Sequence, residues 1–174
     1  MNMWNLLTQL IDMRSFSTLW YWVMLAVYWS LSSHWVLGVP HDMIHRARRV
    51  GGDAVTDLEC LVRINTQRML FYAREAYLPL IGVTAFIFTV LVLLGFLYNI
   101  EFAQALLFIF VPAIIQGLLG IRASRLIEAG EGEGEALFRR LFRHRIMTQT
   151  LGVVCLFLTG LYGMYHDFVT LMPS

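Results

Sequence analysis

Five histidines, two cysteines and 12 acidic residues are the groups in this chain that could hold a metal, seat a cofactor or move a proton. His34 stands apart as the only ionisable residue in the segment LWYWVMLAVYWSLSSHWVL, Leu19 to Leu37. An imidazole in an apolar span is costly without a partner, which makes His34 the candidate cofactor-binding residue. On a continuous helix Ser30 and Gly38 would lie one turn to either side of it. They would leave room for a flat macrocycle or a quinone beside Trp29 and Trp35. The plainer alternative is a hydrogen bond from His34 to Ser30, Ser33 or a carbonyl of a neighbouring helix. His41 and His45 are spaced i, i+4 around Asp42. With His144 they would make a surface metal site, but no Cys or Glu completes it, so no metal ligand is assigned. His166 falls at the opposite end of the apolar segments from His34, so the two cannot share one haem iron. Cys60 and Cys155 form neither a CxxC motif nor a disulfide framework. Asp12, Glu101 and Asp167 all fall at one boundary of the apolar segments, leaving no charged stations for a proton path. With no nucleophile beside a base, no P-loop and no GxGxxG, no catalytic residue is nominated. The expected protein is not an enzyme, and no cofactor is assigned beyond the candidate at His34.

The elements that must position these groups follow from composition. Of the 174 residues, 58% are hydrophobic and 14% charged, and the mean hydropathy is +0.64. Soluble domains are about 45–50% apolar and about 25% charged. A bilayer core of about 30 Å takes roughly 20 apolar residues of helix. Four stretches free of Arg, Asp and Glu meet this, predicting spans over about 17–38, 77–99, 102–121 and 147–166 in a single membrane domain, 1–174. The expected fold is therefore an all-α integral membrane protein with four transmembrane helices and additional amphipathic interfacial and cytoplasmic helices. Only Glu101 interrupts the middle two stretches, so a tight helical hairpin is expected there. Residues 1–14, with Trp4, Leu7, Leu10 and Ile11 on one face, read as an interfacial helix.

All 13 basic residues are arginines, and 12 fall in two segments, six in 40–75 and six in 122–146. Arginine-rich loops stay cytoplasmic, so both termini are expected in the periplasm of a bacterial inner membrane. HDMIHRARRV reads as a short basic helix stopped by Gly51-Gly52. From Asp53 to Glu75 an apolar stripe through Ala54, Leu58, Leu61, Val62, Met69 and Tyr72 predicts a second, amphipathic helix. GEGEGE, Gly130 to Glu135, reads as a flexible acidic connector before ALFRRLFRHR. Arg46, Arg48, Arg49, Arg139, Arg140, Arg143 and Arg145 are the candidates for lipid phosphate or a partner. Trp20, Trp22, Trp29 and Trp35 are candidates for an aromatic belt or docking face. The net charge of +1 offers no general pull toward nucleic acid.

Four blocks carry a resemblance: LIDMRSFSTLWYW (Leu10–Trp22), SHWVLGVPHDM (Ser33–Met43), RARRVGGDAVTDLECLVRIN (Arg46–Asn65), and AGEGEGEALFRRL with the nearby RHR. Together they resemble a family of small four-span inner-membrane proteins of Rhodobacter-type alphaproteobacteria, often labelled "component of SufBCD complex". The resemblance implies the four-span fold and the location, and the label implies iron–sulfur cluster assembly. The chain shows no cysteine cluster, ATPase motif or soluble scaffold domain, and no functional residue carries over by position. The expectation is a non-catalytic accessory or assembly subunit of a respiratory or photosynthetic membrane complex, whose partners are membrane lipids and another integral membrane protein complex. The alternatives are a pigment- or cofactor-binding protein using His34, a small oligomeric channel or transporter, and a membrane-bound iron–sulfur assembly factor.

Overall fold

The structure, a computed structural model, describes residues 19–171, which fold into six helices and one hairpin of two-residue strands. The expected interfacial helix over 1–14 lies outside the described residues. Helix α1 spans Leu19–His34 and stops short of the expected end at residue 38, because the chain reverses immediately after it. Strands β1 (Trp35–Val36) and β2 (Val39–Pro40) pair antiparallel, with Trp35 opposite Pro40 and Val36 opposite Val39. The turn between them, Leu37-Gly38, has positive φ at both positions, 51° and 76°, as a two-residue hairpin loop of the tight, right-twisting kind requires. Glycine is needed at its second position, because a Cβ on Gly38 would sit 3.0 Å from Asn65 Nδ2. That same amide donates to the Gly38 carbonyl at 3.0 Å.

Helix α2, His41–Val50, starts directly after Pro40 and ends where Gly51 and Gly52 both take positive φ. Helix α3 then runs Asp53–Glu75. Its buried line is Leu58, Val62, Thr66 and Leu70, a strict i, i+4 row that adds Thr66 and Leu70 to the expected stripe and leaves Tyr72 exposed. Helix α4, Tyr77–Val92, continues through a wide i→i+5 turn, Leu93–Leu97. After a three-residue turn with Asn99 at φ 51°, helix α5 runs Glu101–Leu126 and ends in a second wide turn, Ile127–Glu131, broken by Gly130 at φ 127°. Helix α6, Gly134–Leu171, is continuous for 38 residues. The basic ALFRRLFRHR segment and the apolar stretch after it are therefore one helix.

Three of the helical segments are long and apolar enough to cross a membrane: Tyr77–Leu97, Glu101–Glu131 and Gly134–Tyr165. The described part of α1 is 16 residues, about 24 Å at 1.5 Å per residue. Two cores hold these parts together. At the arginine-rich end, Val36, Leu37 and Val39 of the hairpin pack with Ala47 of α2, Leu58 and Val62 of α3, Ala123 and Ile127 from the end of α5, and Leu137 and Leu141 of α6. Farther along the bundle Leu25 and Trp29 of α1 meet Cys155 of α6. Helix α4 buries no residue and is apolar all round.

Candidate functional site

Two glutamines of the apolar segments serve as joints between helices. Opening the i→i+5 turn at Leu93–Leu97 releases backbone acceptors from the helical ladder, and Gln104 of α5 meets one, donating from Nε2 to the Gly95 carbonyl at 2.7 Å. Its Oε1 accepts from Tyr162 of α6 at 3.0 Å, so a single amide ties three helices. Gly95 must be small for this, since a Cβ there would lie 3.2 Å from Gln104 Cγ. About three turns farther along α5, Gln116 Oε1 accepts from Tyr28 at 2.9 Å and from Ser32 at 3.4 Å, joining α1 to α5. Thr159 is fully buried and donates back to the Cys155 carbonyl.

His34 ends α1 exposed, with its ring edge-on to Trp35 at 6.2 Å. The reversal at Leu37-Gly38 takes Gly38 off the helix that carries Ser30 and His34, so the two small residues do not bracket the imidazole on one helix face. Trp20 and Trp35 are exposed and Trp22 half-buried. Trp29, expected on an aromatic belt or docking face, packs within the chain. It is 5% exposed, and its ring lies over Gly152 of α6, where an added Cβ would come within 2.7 Å of it. Trp29 thus joins α1 to α6 inside the chain. Gly152 carries no signal in the sequence beyond being one glycine among 13.

The arginine-rich end is more ordered than a pair of basic loops. The acidic GEGEGE segment, expected to be a flexible connector, is instead held in the wide turn and its exit. Glu131 bonds Arg140, Glu128 meets Arg74 at 2.7 Å, and Glu135 lies 3.6 Å from Arg48. Glu59 of α3 accepts the Gly134 amide at 2.8 Å, satisfying one of the free N–H groups that start α6. The Arg140 bond holds the Glu131 carboxyl below its usual range. Arg46, Arg49, Arg139 and Arg143 are exposed, whereas Arg140 and Arg145 are half-buried.

Arg145 turns inward to His41, its Nη1 meeting His41 Nε2. His41 in turn packs edge-on against His45, with ring centroids 4.3 Å apart. Burial lowers the His41 pKa, and Arg145 and His45 add to the effect by repelling a proton. A neutral His41 accepting from Arg145 at Nε2 carries its own proton on Nδ1. His144, the residue before Arg145, is itself buried, and that burial lowers its pKa. Among the described residues no group of three His, Cys, Asp or Glu side chains is placed to hold a metal ion.

Surface cavities flank these groups, and two of them involve residues described above. One, of about 550 Å³ between α3 and the α5–α6 turn, is lined by Glu59, Cys60, Arg63, Gln67, Glu128 and Glu133, of which Glu59 and Glu128 are engaged as described. The other, of about 110 Å³, lies between α2 and α6 and is lined by His41, His45 and Arg48 of α2, by Phe138, Phe142 and Arg145 of α6, and by further apolar residues. In the sequence Arg48 and Arg145 read as surface cations. Nothing there brings them together with the two histidines, because Arg145 and His41 are 104 positions apart. No family model, curated protein or solved structure matches this chain.

Proposed function

We propose that this chain is a four-span protein of a bacterial inner membrane, with both termini in the periplasm. It acts as a non-catalytic accessory or assembly subunit of a respiratory or photosynthetic membrane complex, in contact with membrane lipids and with another integral membrane protein. The layer at the arginine-rich end carries this reading. A protein that only crosses the membrane needs short connectors there, yet here the hairpin, α2, α3 and the ends of α5 and α6 share a ten-residue buried core. Such a layer gives a rigid surface on which exposed arginines are held in place. Three long apolar helices support membrane insertion, and the sequence before α1 stays free of charge back to Ser15, enough to extend the 16-residue helix toward a full span. The arginine distribution supports the orientation.

Isolation from native membranes in mild detergent, followed by mass spectrometry of what co-migrates, tests the subunit role. A stoichiometric integral membrane partner is expected. A monomer migrating alone would overturn it.

A further inference from the structure

The small cavity between α2 and α6 combines features that point to one kind of ligand. Its lining holds two arginines and two histidines and no acid. Among the described residues, Arg145 Nε and His41 Nδ1 are both buried without a hydrogen-bond partner. With Nε2 of His41 accepting from Arg145, each of these nitrogens bears a proton, so the pair amounts to two buried donors lacking acceptors. Orphaned buried donors are destabilising, and a group that supplies acceptor oxygens removes that penalty. Planar guanidinium with imidazole is a donor set suited to phosphate. Arg48 is exposed at the rim, shared with Glu135 at 3.6 Å. The rest of the lining is apolar, and it includes Phe142, which is 60% exposed. The apolar stretch of α6 begins at Ile146, one residue after Arg145. A free phosphate has no use for those apolar residues, whereas a phospholipid joins a phosphate to an apolar part.

We propose that His41, His45, Arg48 and Arg145 bind the phosphate of an anionic phospholipid headgroup, with Phe138 and Phe142 against the first carbons of its chains. The site rests on the membrane reading above, but not on the subunit role. It differs from diffuse attraction of surface arginines to lipid, because the phosphate is held by two inward-facing donors, with Arg48 and Arg145 beside the rest of the headgroup; phosphatidylcholine has the same phosphate but would bring its choline cation against these arginines.

The test uses the full-length protein purified in neutral detergent. Binding of short-chain phosphatidylglycerol, of phosphatidylcholine with the same chains, and of inorganic phosphate is measured by titration calorimetry. The wild type is expected to prefer phosphatidylglycerol over phosphatidylcholine by roughly tenfold, the scale of one charge-assisted bond, and to bind inorganic phosphate more weakly than the lipid. Arg145→Gln and His41→Gln should each remove most of the preference, while Arg68→Gln, exposed on α3 and outside the cavity, should keep it. Equal binding of the two lipids overturns the proposal without reference to any variant. Inorganic phosphate binding as tightly as the lipid overturns the lipid as its source, and a preference retained in Arg145→Gln overturns the assignment of residues. Failure of the membrane reading itself is separately visible, as release of the protein from membranes by alkaline carbonate without detergent.

Discussion

Gly152 leaves room for the Trp29 ring, and a methyl group there would have to displace a buried indole. Gly152→Ala is therefore expected to cost about 1–3 kcal/mol, as overpacking of a filled core does. Gly160→Ala on the same helix meets only the tip of Trp22 at 4.0 Å and should be close to neutral. Thermal unfolding of the two variants in detergent, read side by side, checks the contrast. Gln104 acts differently, by satisfying groups that the wide turn of α4 leaves open. Gln104→Leu keeps the volume but strands the Gly95 carbonyl and takes an acceptor from Tyr162, with an expected loss of about 1–3 kcal/mol in the same measurement. Glycines and glutamines at such positions look ordinary in the sequence. Their roles come from what faces them, and no spacing rule within one helix reveals that.

Among the helices, α3 shows how far periodicity reaches. Its apolar stripe marks a helix that packs on one side, and Leu58 and Val62 are core residues. Thr66 and Leu70 extend the row, and Tyr72 leaves it, because the buried face is an i, i+4 line rather than the broader stripe. Leu58→Ala should cost about 2–5 kcal/mol, as a core leucine does, lowering the unfolding temperature without moving lipid preference. The start of α6, before the expected span over 147–166, carries a pH dependence. Burial depresses the His144 pKa in the fold below its ordinary value of about 6.5, so the unfolded chain binds the proton more readily. The stabilising contribution is full above that ordinary value and is lost as pH falls through the lower, folded one. Wild type should lose stability between neutral and mildly acidic pH, and His144→Gln should lose measurably less. An identical loss in both would remove His144 from the account.

Taken together, the described helices fall into two regimes. One end is a layered core of hairpin and helix ends tied by ion pairs, and the other is a bundle whose outer helix, α4, buries nothing. Exposed ion pairs such as Arg74 with Glu128 add little individually, so the layer owes its order to the apolar core beneath them. The proposed orientation places that layer in the cytoplasm, and Cys60, exposed on α3, reports on it. A membrane-impermeant maleimide should label Cys60 in inverted membrane vesicles and not in intact spheroplasts, while Cys155, buried against Trp29 and Leu25, stays unlabelled in both. Labelling in spheroplasts would reverse the topology.

Much of this architecture is legible from residues adjacent in the chain. Long runs without charge specify apolar helices, Gly51-Gly52 separates α2 from α3, the short polar break at Asn99 and Glu101 turns α4 into α5, and the arginines gather in two segments. Each follows from transfer free energies and backbone preferences that add along the chain. Which residues meet is a matter of packing alone: Trp29 with Gly152, Gln104 with Gly95 and Tyr162, and Arg145 with His41. A helix that is apolar all round has no polar face to set its rotation, so its partners are chosen by shape and by scattered hydrogen bonds between residues far apart in the chain. The same reason hides the reversal at Leu37-Gly38 from a reading of the sequence. Its residues are as apolar as the helix they end, and the amide that holds the turn comes from Asn65, on another element.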